Sequence, residues 1–232
     1  MTDPLHHPLQ RTVIEAGAAV CVEFCLALAG GHALRAHGLI DRPSENVDLV
    51  ATAPLSLPEA AEALAAAYRD RGLRVRAGEA DGDAYLGMIV ADPATGEECR
   101  VDLLKAPLRM RPVLIGRCPV VAYEDAIGLK VGALAGRLVA RDLIDVAAVA
   151  DEYGYERLEW LGRCNHPDFS LERLADRLTC HELMPEAEFE RYGLDHVQIR
   201  RVKRFAAEWA HDIAMRLYED AAFERDGTDP DL

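Results

Sequence analysis

Positive charge is scarce in this chain. Its 232 residues carry 26 Lys+Arg against 40 Asp+Glu, a formal net charge of −14. A protein that coats nucleic acid without regard to sequence needs a basic surface to displace counterions. The balance argues against that class, although it leaves room for a local basic groove. Also missing is any apolar run approaching the roughly 20 residues a membrane-spanning helix requires, so no membrane role is expected. The opening MTDPLHHPLQRT has no basic stretch leading into an apolar one. No secretory signal is read there, and a cytoplasmic location is expected. No C-x-x-C pair occurs among the six cysteines. Cys164 with His166 and Cys180 with His181 come nearest to a zinc set, but their spacing matches no standard pattern. Free thiols are expected, with Cys21 and Cys25 as core positions.

What is present suits a folded domain. Hydrophobic residues make up 50% and charged residues 28%, which excludes a wholly disordered chain and the collagen and disulfide-scaffold classes. A chain of this size buries roughly 70% of the surface its unfolded form exposes. The pattern predicts a helix over 9–22, a buried strand over 24–29 ending at Gly30-Gly31, and a short helix over 32–37. A strand follows over 46–52. A helix over 57–71 has Ser56 as its cap, Pro58 in its first turn and Gly72 at its end. Strands are expected over 74–77, 84–91 and 98–104, the last two joined as a hairpin through Asp92-Pro93-Ala94-Thr95-Gly96. From Tyr123 the pattern turns helical: 123–138, 141–153, 155–163, 170–178 and 195–218. The expected class is α+β, a mixed sheet flanked by helices and followed by a helical half. The expected domains are 1–122, a helical domain over 123–224 packed on it, and a disordered acidic tail over 225–232.

One stretch carries chemistry. LAGGHALRAHGLIDRPSENVDLV, from Leu28 to Val50, delivers two glycines from a strand into a helix. Glycine lets a backbone approach a phosphate closely, and a helix start offers free N–H groups. On the next strand, Asn46 and Asp48 are two apart and share a face, opposite Val47 and Leu49. Asp102 in CRVDLL alternates with apolar neighbours in the same way and can join that pair across the sheet. Taken singly, a Gly-Gly is a turn and a strand Asp a solvated edge residue. The ordered combination is far more specific.

In that combination the sequence resembles the AbiEii-type toxin nucleotidyltransferases, including the MenT relatives, of the superfamily that also holds DNA polymerase beta. The residues that carry the resemblance are Gly30-Gly31, then Arg42-Pro43-Ser44-Glu45-Asn46-Val47-Asp48-Leu49. Lys130 with Arg137 on one helix and Arg141-Asp142-Leu143-Ile144-Asp145 match two further elements. The likeness spans roughly residues 12–155. It implies a nucleotidyltransferase fold and transfer of a nucleoside monophosphate from a nucleoside triphosphate, with Mg²⁺ or Mn²⁺ as cofactor. A tRNA 3′ end is the implied acceptor and a cognate antitoxin the implied partner. By the same resemblance Asn46, Asp48 and Asp102 hold the metal positions, and Asp48 and Asp102 are catalytic carboxylates, Asp102 ligating metal or activating the hydroxyl. Gly30, Gly31 and Ser44 cradle phosphates. Arg42 contacts phosphate or the carboxylates. Lys130 and Arg137 meet the nucleotide, and Asp145, with Asp142 as its rival, is the further polar residue near it.

Asn46 departs from the pattern, which has Asp at the first metal position. An amide oxygen brings no negative charge, and Mg²⁺ favours carboxylates with water and phosphate. Weakened or abolished transfer is therefore expected, with an engineered change, natural loss of catalysis and weak residual activity as open readings. The alternatives to a toxin enzyme are a non-catalytic nucleotide- or RNA-binding relative and an aminoglycoside-type nucleotidyltransferase. Two basic stretches bear on the acceptor: Arg100, Lys105, Arg109, Arg111 and Arg117, and His196, Arg200, Arg201, Lys203 and Arg204. Either could track a nucleic-acid backbone, or simply pair with the chain's own carboxylates. His32 and His37 are read as packing or surface positions, and Trp160 and Trp209 as core or helix contacts.

Overall fold

The computed structural model describes residues 7–226. They form two units: the described residues through Leu129 with Cys164–Pro167, and Lys130–Arg163 with the described residues from Asp168 onward.

The first unit is built on a seven-stranded mixed sheet in the order β3-β4-β5-β2-β1-β7-β6. Its strands are β1 (Leu26–Leu28), β2 (Asn46–Ala51), β3 (Arg74–Asp81), β4 (Tyr85–Ala91), β5 (Glu98–Lys105), β6 (Val113–Ile115) and β7 (Cys118–Val120). β1 is apolar and fully buried, as expected of a short run in a sheet interior. β2 pairs in parallel with β5, and β4 with β5 as an antiparallel hairpin. Helices α1 (Pro8–Glu23) and α3 (Leu57–Asp70) pack against the sheet and each other; α2 (Gly30–Ala36) lies between them in sequence. α3 buries Leu57, Ala60, Ala61, Leu64, Ala65 and Tyr68, one stripe at helical spacing. Each large apolar side chain on such a stripe contributes roughly 1.5–3 kcal/mol when fully buried. Gly17 on α1 makes room for that stripe, since a Cβ there would stand 3.1 Å from both Leu64 Cδ2 and the Tyr68 hydroxyl. Buried Asp125 accepts hydrogen bonds from the backbone N–H of Arg109 (3.0 Å) and Met110 (2.9 Å) and from Asn165 Nδ2 (2.8 Å), pinning the loop before β6.

Helix α4 (Tyr123–Gly136) begins in the first unit, and from Lys130 onward belongs to the second. The second unit continues with α5 (Ala140–Ala147), α6 (Tyr155–Asn165, whose last two residues fall in the first unit), α7 (Leu171–Leu183), α8 (Ala187–Glu190) and α9 (His196–Asp226). Ser170 caps α7 by accepting from the Arg173 N–H at 3.1 Å. Trp209 is fully buried, stacks on Tyr155 at 5.5 Å and donates its indole N–H to buried Glu159 at 2.9 Å.

Most expected elements form. β6, β7 and α8 were not anticipated, being three or four residues each and broken by Pro112, Pro119 and Pro185. Ser56 precedes α3 as expected but makes no side-chain cap hydrogen bond. Cys21 is buried as expected, whereas Cys25 is exposed at φ +49° just past α1. All six cysteines are free, and burial pushes the Cys99 thiol up to about 12. The expected tail over 225–232 starts inside α9; from residue 227 it lies outside the described residues.

Candidate active site

Alternation along β2 sends Val47 and Leu49 into the core and leaves Asn46 and Asp48 half-buried on the other face. The parallel register then sets Asp48 beside Asp102 and Asn46 beside Arg100. The Ala29 N–H donates to the Asp48 carbonyl at 2.8 Å, which brings Gly30 next to that residue. Gly30 has φ +57°, and a Cβ on it would fall 1.9 Å from Asp48 Oδ2. A Cβ on Gly31 would fall 2.9 Å from Ser44 Oγ and 3.7 Å from Arg42 Nη2. The two glycines are thus required first by the approach of Asp48 and Ser44. Ser44 is held in turn: its hydroxyl donates to the Asn46 carbonyl at 3.0 Å, and Gln10 Nε2 donates to its carbonyl at 2.8 Å. Arg42 folds back onto the Pro43 carbonyl at 2.9 Å. Five residues expected from the sequence, Gly30, Gly31, Arg42, Ser44 and Asp48, are brought together here.

Asp102 is buried and surrounded by donors. Tyr85 donates its hydroxyl to Oδ1 at 2.5 Å. Arg100 Nε donates to Oδ1 at 2.8 Å and Oδ2 at 3.2 Å. Asn46 Nδ2 donates to Oδ2 at 3.1 Å. Arg100 Nη2 also reaches the Tyr85 hydroxyl at 2.5 Å and Glu79 at 3.0 Å. Asp102, then Tyr85 and Glu79, hold the guanidinium further into its charged form. Burial first, and Asp102 next, push the Tyr85 phenol above its ordinary value. Gly87 lies opposite Asp102 in the β4–β5 register. A Cβ there would stand 2.8 Å from the Tyr85 hydroxyl and 3.2 Å from Asp102 Oδ1. Tyr85, Gly87 and Glu79 were not anticipated, because the tyrosine reaches the acid only through the hairpin register.

Lys130, Arg137, Asp142 and Asp145 form their own cluster in the second unit. Lys130 Nζ lies 3.0 Å from Asp142 Oδ1 and 3.0 Å from Asp145 Oδ2, and both acids are buried. Arg137 Nε lies 2.7 Å from Asp142 Oδ2. Burial works against ionisation of Asp142, but Lys130 and Arg137 overcome it and bring the carboxyl down to about 2. The basic stretches are partly spent within the chain. Lys105 pairs with Asp83, Arg109 with Glu124 at 3.7 Å, His196 with Glu186 at 2.8 Å and Arg201 with Asp151 at 2.8 Å. His32 is buried, and His37 Nε2 lies 2.8 Å from the Val121 carbonyl. Among the described residues, the His/Cys/Asp/Glu group with metal-ligand spacing is exposed Glu186, Glu190 and His196. No helix of the described residues is long and apolar enough to cross a membrane.

A family profile described as "Nucleotidyl transferase AbiEii toxin, Type IV TA system" matches residues 23–226. The chain belongs to the AbiEii nucleotidyltransferase toxin family. Every expected site residue falls inside the AbiEii match. No curated protein matches the chain. Among solved structures, a putative nucleotidyltransferase from H. pylori is similar at 17% identity and TM-score 0.52, over 89% of this chain and 96% of that one. JHP933 from Helicobacter pylori is similar at 20% identity and TM-score 0.48, over 92% and 96%. MenT4, a nucleotidyltransferase toxin from Mycobacterium tuberculosis H37Rv, is similar at 18% identity and TM-score 0.46, over 90% and 93%. At 17% identity the likeness to the H. pylori nucleotidyltransferase of TM-score 0.52 is one of fold, and it is the profile that assigns the AbiEii family.

Proposed function

We propose that this AbiEii chain transfers a nucleoside monophosphate from a nucleoside triphosphate to an RNA acceptor, the 3′ end of a tRNA, in the cytoplasm, and that a cognate antitoxin restrains it. The observation that carries the reading is the convergence of Asp48, Ser44 and Arg42 on Gly30-Gly31, beside Asp102. Gly30 and Gly31 let Asp48 and Ser44 approach the turn where a Cβ would block them, and Arg42 supplies positive charge at the same place. The terminal hydroxyl of the acceptor attacks the α-phosphorus. The bond to the bridging oxygen breaks, pyrophosphate leaves, and the hydroxyl proton passes to solvent or to a site carboxylate. The half-buried Asp48 carboxylate, packed against Gly30, suits a divalent cation whose other ligands would be triphosphate oxygens and water. Bound there, Mg²⁺ or Mn²⁺ would neutralise charge on the triphosphate. Exposed Arg111 and Arg117 support an RNA acceptor. Lys130, Arg137 and Asp145 remain in this proposal as residues needed for transfer, on the family resemblance alone.

The test uses the full chain, labelled nucleoside triphosphates, Mg²⁺ and total tRNA. Label is expected on tRNA. Asp48→Asn should lower transfer by about 100-fold or more, since a metal contributes several kcal/mol to the transition state and each 1.4 kcal/mol is tenfold. Asn46→Asp should raise it. Transfer unchanged in Asp48→Asn would refute the site, and no label with either the natural chain or Asn46→Asp would refute tRNA transfer.

A further inference from the structure

We propose that Arg100 stands where a second cation would be needed, so that the site takes one divalent ion per bound nucleotide, at Asp48, with Asp102 as the counter-ion of Arg100 rather than a metal ligand. This rests on the nucleotidyltransferase reading and changes what that reading expects of Asp102.

An ionised carboxylate offers about four lone-pair directions. On Asp102 three donor hydrogens occupy them: the Tyr85 hydroxyl on Oδ1, the Asn46 amide on Oδ2, and the single Nε–H of Arg100 shared between Oδ1 and Oδ2. A metal would have to displace a donor or sit against a guanidinium 2.8 Å from Oδ1 that stays charged at any working pH. The Arg100 side chain is itself held, with Nη2 on the Tyr85 hydroxyl and on Glu79. Gly87 keeps open the space into which the Tyr85 hydroxyl fits.

Asn46 belongs to the same arrangement. An Asp at 46 would put a carboxylate about where the amide now touches Asp102 Oδ2, at 3.1 Å. Two carboxylates that close cannot both stay ionised unless a cation separates them. The amide donates a hydrogen bond instead and removes that requirement. Asn46 and Arg100 together therefore replace an ion bridging two acids by a fixed cation and a neutral donor. Asp48, two residues along β2, keeps its place beside Gly30.

The test counts Mn²⁺ by electron paramagnetic resonance on the full chain with a nucleoside triphosphate analogue that cannot be cleaved at the α-phosphorus. One Mn²⁺ per protein–nucleotide complex is expected for the natural chain and for Asp102→Asn, and two for Asn46→Asp with Arg100→Gln. Asp48→Asn should lose the protein-dependent Mn²⁺ signal. Two ions in the natural chain, or loss of the ion in Asp102→Asn while Asp48→Asn keeps it, would overturn the proposal and leave the nucleotidyltransferase reading standing. If neither nucleotide nor Mn²⁺ binds the natural chain, both fall together. The count on the natural chain needs no variant, so misfolding of a variant does not blunt the test.

Discussion

In the sheet unit one carboxylate, Asp102, is shared by Arg100, Tyr85 and Asn46. In the helical unit one ammonium, Lys130, lies between two carboxylates, Asp142 and Asp145, with Arg137 on the outer side of Asp142. Both clusters match charge to charge, yet they differ in contact with water. The Arg100 side chain is 38% exposed, whereas that of Lys130 is 8% exposed and both of its acids are at 0%. Solvent reaches the guanidinium of the sheet cluster, but its partner Asp102 is only 9% exposed, so that acid relies on Tyr85 and Asn46 when Arg100 is lost. Removing one member of a buried pair strands a charge, while a partly exposed pair is weak to begin with. The difference separates what each cluster is suited to. The helical one fixes α5 to α4, and the sheet one keeps its guanidinium within reach of water.

The largest expected effect breaks that comparison directly. Lys130→Met leaves Asp142 and Asp145 facing each other without their shared cation, and should lower unfolding free energy by about 3–5 kcal/mol. Arg100→Met leaves the buried Asp102 carboxylate with two neutral donors, Tyr85 and Asn46, and should cost about 1–3 kcal/mol. Urea denaturation of the full chain reads both. Similar costs would mean that burial is not what distinguishes the clusters.

Acid gives the next largest effect. Asp142 is held at about 2, against an ordinary value of 3.8. A carboxyl whose folded value is depressed stabilises the fold at pH above its unfolded value, and the contribution is lost as pH falls through the folded one. Between about pH 4 and pH 2 the chain should therefore lose about 2 kcal/mol on account of Asp142, at roughly 1.4 kcal/mol per unit. Asp142→Asn should flatten that limb of a stability–pH curve. A limb of the same steepness in the variant would assign the acid sensitivity to other carboxylates.

Much of this was legible in the sequence, for identifiable reasons. NVDLVA and ECRVDLL alternate cleanly, so the faces of Asn46, Asp48 and Asp102 followed from a period of two. The same rule puts Arg100 on the face of Asp102, two residues away. The local excess of Arg and Lys suggested a groove instead, and the pairing emerges only once Tyr85 and Glu79 are brought in by the β3-β4-β5 register. Asp142 and Asp145 are three apart and so share a helix face. Their burial depended on Lys130 of a different helix, which no local pattern encodes. β6 and β7 were illegible because three residues around Pro112 and Pro119 carry no period.

The smallest expected effect sharpens the comparison most. Tyr85→Phe keeps the ring and removes one hydroxyl, which donates to Asp102 Oδ1 and accepts from Arg100 Nη2. Stability should fall by about 1 kcal/mol or less, the net worth of an ordinary hydrogen bond near solvent. One acceptor direction of Asp102 is then vacated while Arg100 still covers both oxygens. If filled lone pairs alone kept metal from Asp102, this variant would gain a second Mn²⁺ in the presence of nucleotide. If the fixed positive charge of Arg100 is what excludes it, the count stays at one and rises only when Arg100 is replaced. The second result is expected, because a guanidinium 2.8 Å from Oδ1 repels a divalent ion whether or not the hydroxyl is present.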